Sequence, residues 1–457
     1  MKAAPQYRPL NLTGGNLWMN IWEISWPIIL IMIFNFLVGI TDVYVAGLIS
    51  YEVQAAVGFI TQIFFLNIII ANAVSIGTIA MISRAEGAGN FPRTLEIARQ
   101  SLIMSIIIAI VLTAIGLAFY GEIIAYAGFP DEIRNISSDF LKIFAVSLVP
   151  TYFLIISNAV FRASGDIKKP LFTMALVSVI NVFGDFALVY GIPPFPRLGY
   201  TGIAFSTLFS VTAGMAVNVV FLSYSRWRGI YTHAWKVSLP IIKKVAVLGW
   251  PAAFLQIAWN AGSIVLYNIL GRLGDTSITA IASLTNGFRI EAIIYLPAFA
   301  LNMAASVLIG QNLGAGSPGR AEQVGWKIAG SGTVLISLMA LAIFLTAEQC
   351  ASALTTHPGV LEETSRYLRI NMLSEPFMAA SMILGGCLQG AGDTRGTMWI
   401  IVTSMWFIRL PLAYVLGLVM HLGATGVWIA MIISMGVQGV LMTLRYRKGR
   451  WKELRVD

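Results

Sequence analysis

Twelve apolar runs, each long enough to cross a bilayer, dominate this chain. A helix needs roughly 20 mostly apolar residues to span the hydrocarbon core. Such runs, divided by short polar or Gly- and Pro-containing stretches, fall at about 19–48, 53–82, 98–124, 137–162, 170–192, 200–223, 245–271, 277–310, 326–346, 368–389, 397–419 and 424–444. Strands of a membrane barrel would alternate strictly over about 10 residues. Phe64 to Ala80 and Leu102 to Ala118 are instead apolar all round. The runs therefore predict an all-α polytopic membrane protein with twelve transmembrane helices. Composition excludes the alternatives: only 11% of the 457 residues are charged, less than half the roughly 25% of a soluble domain. A soluble enzyme cannot be dressed from such a chain. The first 18 residues are polar and lack an apolar core with a small-residue cleavage site, so no signal peptide is expected.

What charge there is carries a sign: 30 Lys and Arg against 21 Asp and Glu give a net +9. Lys and Arg favour the cytoplasmic side of a membrane. With both termini inside, 22 of the basic residues fall on inner loops and tails and six on outer ones, while Arg289 and Arg409 lie within spans. The excess reads as topology in a cell (inner or plasma) membrane, and no nucleic-acid partner is needed to explain it. Small organic molecules and membrane lipids are the expected partners, and the chain is expected to act as a monomer.

The sequence repeats at half its length. Arg84-Ala-Glu-Gly-Ala-Gly89 resembles Gln311-Asn-Leu-Gly-Ala-Gly316, and Phe161-Arg-Ala-Ser-Gly-Asp166 resembles Leu388-Gln-Gly-Ala-Gly-Asp393, both at an offset of 227 residues. Trp26-Pro27 matches Trp250-Pro251 and Thr201-Gly202 matches Thr425-Gly426, both at 224. Six helices are an even number, so the halves form two six-helix bundles related by a parallel internal repeat. Repeats of this kind build many secondary transporters. The expected organisation is a cytoplasmic segment 1–18, an amino-terminal lobe 19–223, a linker 224–244, a carboxy-terminal lobe 245–444 and a basic tail 445–457.

Enzyme chemistry has little to stand on. Two Cys (Cys350, Cys387) and three His (His233, His357, His421) show no metal-ligand spacing, so no structural metal and no cofactor are expected. No Walker A sequence appears, nor a Gly-x-Ser-x-Gly or His-Glu-x-x-His.

The informative residues are the few charges inside spans, because an acidic residue at the bilayer centre costs roughly 2.5–3.5 kcal/mol and needs a partner, water or a proton. Asp42 in helix 1 and Asp185 in helix 5 both lie roughly 10 Å below the outer surface, at 1.5 Å per residue. Asn181 sits one turn from Asp185 on the same face. Thr207 on helix 6 falls at similar depth, while Asn158 on helix 4 comes out nearer the inner side. Two nearby carboxylates in low dielectric should not both be ionised, which makes a proton carrier. The same oxygens, with Asn and Thr side chains, could instead ligate Na+. The second-half counterparts of Asp42 and Asp185, near Leu266 and Pro411, are non-ionisable. Pro27 interrupts helix 1 about four turns before Asp42, where a proline removes a backbone hydrogen bond and kinks the helix.

The second half has its own set: Arg289 and Glu291 on helix 8, and Arg409 on helix 11. Arg289 and Glu291 are two apart and point to different sides. Arg409 is the expected partner of Glu291, as a buried ion pair locking the packing or as part of a substrate or proton relay. Glu375, followed by Pro376 on helix 10, is not assigned. The 18 Met, 25 Phe, 15 Tyr and 12 Trp suit an adaptable apolar cavity, although packing and lipid contact account for most of them.

In this order, on twelve helices, the motifs resemble the multidrug and toxic compound extrusion (MATE) family, nearer its DNA-damage-inducible F (DinF-like) type than its Na+-driven NorM type. The carriers are Trp26-Pro27, Asp42-Val-Tyr-Val-Ala-Gly47, Asn181-Val-Phe-Gly-Asp185, Arg289-Ile-Glu291, Val307 to Gly316 and Gln389-Gly-Ala-Gly-Asp-Thr394. The resemblance implies a V-shaped, two-lobed antiporter that exports organic, often cationic, compounds in exchange for H+ or Na+. It maps an amino-terminal cation site onto Asp42, Asn158, Asn181, Asp185 and Thr207, and couples bending at Pro27 to protonation of Asp42. NorM-type members carry a carboxylate on helix 7, where this chain has Gln256, Trp259 and Asn260. The competing expectation is a lipid-linked oligosaccharide flippase of the related polysaccharide-exporter group. Its anionic cargo calls for several basic cavity residues, and only Arg289 and Arg409 qualify.

Overall fold

A computed structural model of the chain describes residues 10–126, 128, 130–232 and 236–454. His233, and the Lys2, Arg8 and Arg455 counted as cytoplasmic, lie outside the described residues. No strand occurs among the described residues. The long helices are α1 (Leu17–Ile49), α2 (Tyr51–Gly87), α3 (Phe91–Ala118), α4 (Asp131–Ala163), α5 (Lys168–Tyr190), α6 (Thr201–Ser223), α7 (Leu239–Gly271), α8 (Ser277–Gly314) and α9 (Pro318–Leu345). They are followed by α10 (Pro358–Asn371) and α11 (Glu375–Gly390), then α12 (Thr394–Val419) and α13 (Gly423–Arg447).

Eleven of these helices are individually long and apolar enough to span a membrane. The tenth crossing is broken into α10 and α11 by a 3-10 turn at Met372–Ser374. The break follows from Pro376 in the first turn of α11, because proline has no N–H to continue a preceding helix. With 16 residues, α11 falls short of the roughly 20 needed alone, and α10 supplies the remainder of the twelfth-helix count.

The duplicated inner loops are duplicated turns. Gly89 and Gly316 both take left-handed φ, 68° and 69°. In each turn a backbone N–H closes back over five residues, Asn90 to Ala85 and Ser317 to Asn312, which is how a glycine-terminated helix satisfies its last carbonyls. Gly165 and Gly392 repeat the pattern, with Asp166 bonded to Phe161 and Asp393 to Leu388.

The described residues form two compact units, Trp26–Trp250 (with Leu10 and Asn11) and Leu12–Ser25 together with Pro251–Leu454. The boundaries therefore fall within α1 and α7, at the repeat-related Trp26-Pro27 and Trp250-Pro251, rather than in the 224–244 linker. Hydrogen bonds explain the first of these. Asn20 donates its side-chain amide to the carbonyls of Leu12 and Gly14, Asn312 also donates to Leu12, and Arg320 donates to Gly14 and Gly15. The segment leading into α1 is thus tied to α8 and α9. The segment leading into α7 is tied to α3, where Gln100 donates to the Lys236 carbonyl at 2.7 Å and accepts from the Ser238 N–H at 2.9 Å. Each unit has its own apolar core: Val45, Ile60, Phe140, Phe144 and Ile203 in the first, Leu270, Ile294, Tyr367 and Trp428 in the second.

Candidate coupling site

Three helices of the amino-terminal unit converge on Asp42. α1 brings Asp42, which is half-buried, while α5 brings the fully buried Asn181 and Asp185 one turn apart. The Asn181 amide donates to Asp42 Oδ1 and to Thr207 Oγ1 on α6, each at 3.3 Å. Ser206 donates to the Asn181 main-chain carbonyl at 2.8 Å, pinning α6 to α5. Gly184 permits that approach, since a methyl group there would stand 2.6 Å from Ser206 Oγ. Ser206 and Gly184 were not legible as site residues, although Gly184 lies inside the Asn181–Asp185 motif.

The polar balance of this group is unusual. Asp185 is 0% exposed, yet neither of its carboxylate oxygens, nor Asn181 Oδ1, has a hydrogen-bond donor. Asn181, one turn from Asp185 on α5, ties it to Asp42 through the amide hydrogen bond to Asp42 Oδ1. Buried acceptors without donors are costly, and two facing carboxylates are acceptors only. A proton or a small cation is what this arrangement lacks. No cluster of three or more His, Cys, Asp or Glu that could hold a metal ion occurs among the described residues.

Asn158 is buried but joins a different network. Its Oδ1 accepts from Asn218 at 2.9 Å, and Asn218 also bonds Ser157 and Thr173. Asn218 lies eleven residues from Thr207 along α6, about 16 Å at 1.5 Å per residue. The structure thus brings Asp42, Asn181, Asp185 and Thr207 together and sets Asn158 in a separate polar layer. Pro27 stands inside α1, which runs on through it as helix.

In the carboxy-terminal unit Arg289 and Glu291 diverge as their spacing requires. Arg289 is exposed, whereas Glu291 is 2% exposed and accepts from the Tyr367 hydroxyl at 2.7 Å. Arg409 is also buried, but its Nε donates to Ser434 Oγ at 2.8 Å and its guanidinium lies 5.1 Å from the centre of the Trp259 ring. It ends a π-helical stretch, Ser404–Arg409, a wide turn that often marks functional positions. Among the described residues no Arg409 nitrogen comes within ion-pair distance of a carboxylate, so the expected direct bridge to Glu291 is replaced by interaction at longer range. Tyr367, Ser434 and Trp259 gave no sequence signal of membership, because they come from three other helices.

The MatE family model matches residues 27–187 and again 251–415, once in each half of the repeat. A probable multidrug resistance protein NorM of Thermotoga maritima is 27% identical, over 92% of this chain and 90% of the relative. An FAD transporter of Shewanella oneidensis is 25% identical over 82% of each. Among solved structures, a multidrug resistance MATE family transporter in its outward-facing conformation superposes with a TM-score of 0.87 at 21% identity, covering 99% of this chain and 100% of that one.

Proposed function

Because this chain belongs to the MatE family, and is a multi-pass membrane transporter of small molecules rather than an enzyme, we propose that it is a secondary multidrug efflux antiporter. It exports amphiphilic, often cationic, organic compounds in exchange for H+. The multidrug resistance names of relatives such as the Thermotoga maritima protein support the cargo class. The observation that carries the coupling is Asp185, buried with neither oxygen hydrogen-bonded and one turn from the Asn181 amide that bonds Asp42.

The cycle follows from that arrangement. A proton entering from the outer side is taken up between Asp42 and Asp185, which lets both remain in a low-dielectric site. Asn181, tied to Asp42 and Thr207, holds α1, α5 and α6 in register while the proton is bound. Release of the proton to the cytoplasm restores the uncompensated pair and drives the return. Alternating access requires that these two states favour opposite openings. Both termini lie in the cytoplasm, and the protein resides in the cell (inner or plasma) membrane.

A second reading has an observation of its own. Three buried acceptor oxygens, both of Asp185 and the Oδ1 of Asn181, lack donors, and with Asp42 and Thr207 they offer an oxygen set of the kind hard cations prefer. Na+ is therefore the competing coupling ion. Vesicles containing the purified chain and a fluorescent organic cation separate the two. Dye movement driven by a pH gradient alone supports H+ antiport, and movement driven by a Na+ gradient alone replaces it.

A further inference from the structure

The amino-terminal unit holds a cavity of about 90 Å³ whose walls include none of the coupling residues. α2, α3 and α4 line it with side chains such as Ile60, Phe64, Leu112 and Phe144, and Ile123 of a short helix, Tyr120–Tyr126, joins them. Asn67 is the one polar side chain in the wall, and its amide is spent on the Ile63 carbonyl at 2.9 Å. A cavity lined this way does not hold water. It opens on the lipid side of the unit. Ile115, another of its walls, is exposed, and with Ile107, Ile110 and Val111 it forms one exposed apolar face of α3. Such a face on a membrane-spanning helix meets lipid tails.

A pair of opposite charges stands beside this cavity. Lys142 adjoins Leu141 of the wall, and its ammonium lies 4.4 Å from the centre of the Tyr120 ring, at the start of the short helix. Asp139, one turn earlier on α4, accepts the Tyr200 hydroxyl through Oδ2 at 2.9 Å. Its Oδ1 stands 3.8 Å from Lys142 Nζ, beyond hydrogen-bond reach. Both side chains are 43% exposed, so the ammonium and Oδ1 each remain open to a further partner. Tyr120 and Tyr200 mark the level of the lipid headgroups, where tyrosines gather in membrane proteins.

We propose that the cavity seats part of one phospholipid tail, and that Lys142 and Asp139 hold its headgroup, a phosphate bearing a primary ammonium. The phosphate meets the Lys142 ammonium, and the lipid ammonium donates to the Asp139 carboxylate, which only accepts. Other occupants match less well. A headgroup with a phosphate alone brings its charge against Asp139. A quaternary ammonium has no N–H to give that carboxylate. A free organic cation is repelled by Lys142. The site is independent of the coupling ion and of the exported cargo.

Phosphatidylethanolamine, phosphatidylcholine and phosphatidylglycerol with identical acyl chains, titrated singly against the purified full-length protein and counted by native mass spectrometry, test the assignment. The wild type should bind phosphatidylethanolamine about threefold to fivefold more tightly than either of the others, the scale of an exposed ion pair. Asp139→Asn keeps an acceptor for Tyr200, and it should erase the preference over phosphatidylcholine while strengthening phosphatidylglycerol. Lys142→Gln should weaken all three lipids, and Leu112→Trp, which fills the cavity, should do the same. Ile115→Trp, at the exposed edge, replaces Leu112→Trp should that variant not fold. Equal binding of the three lipids by the wild type, or a preference for phosphatidylglycerol, overturns the headgroup assignment. Unchanged binding in the cavity-filling variant overturns the seat of the tail.

Discussion

The side-chain amide of Asn181 on α5 reaches Asp42 on α1 at 3.3 Å, and this is the tie through which two helices share one ionisable site. The same nitrogen bonds Thr207, so a single residue holds α1, α5 and α6 together at the depth of the carboxylates. A hydrogen bond to a charged group contributes about 1.5–3 kcal/mol. Asn181→Ala should therefore lower proton-driven dye efflux about tenfold or more, measured in vesicles at equal protein content. Efflux within twofold of the wild type would mean that the tie is dispensable.

Gly184 makes the contact of α5 with α6 possible. Gly184→Val would drive its side chain into Ser206 Oγ, and overpacking of this kind costs about 1–3 kcal/mol. A lower unfolding temperature in detergent, together with lost efflux, is the expected outcome. Gly184→Ala should show the same effect more weakly.

Asn158 separates the two polar layers of the amino-terminal unit. Asn158→Ala leaves the Asn218 amide short of one acceptor, at a cost of about 1–3 kcal/mol for a buried polar group. Stability should fall while the choice of coupling ion stays the same. A switch from a pH-driven to a Na+-driven cycle in this variant would instead place Asn158 at the ion.

Much of this architecture is legible in the sequence, and the failures have physical causes. Apolar run length gives the twelve crossings, and the offsets of 227 and 224 residues give the repeat, because both are properties of the chain alone. Asp42, Asn181, Asp185 and Thr207 can be grouped from the sequence because helical rise converts residue counts into depth. Arg289 and Glu291 separate as a two-residue spacing on a helix demands. Unit boundaries at Trp26 and Trp250 are hidden, since α1 and α7 run unbroken through them. The partners of Glu291 and Arg409 are hidden too, since Tyr367, Ser434 and Trp259 come from other helices.

Pro27 and Pro251 stand where the chain passes from one unit to the other. Each removes a backbone hydrogen bond from a long helix, loosening it at that point. Pro27→Ala should slow efflux more than Pro251→Ala, because α1 carries Asp42 whereas α7 carries no carboxylate. Equal effects would assign both prolines to packing, and unaltered transport in Pro27→Ala would remove that residue from the mechanism.

Proteoliposomes holding the wild type, Asp42→Asn or Asp185→Asn, loaded with a fluorescent organic cation and given a pH gradient or a Na+ gradient separately, test the coupling pair most directly. Proton antiport predicts dye movement in the wild type under the pH gradient alone and none in either variant, both of which remain folded. Full activity in either variant, or no dye movement in the wild type under any gradient, would contradict it.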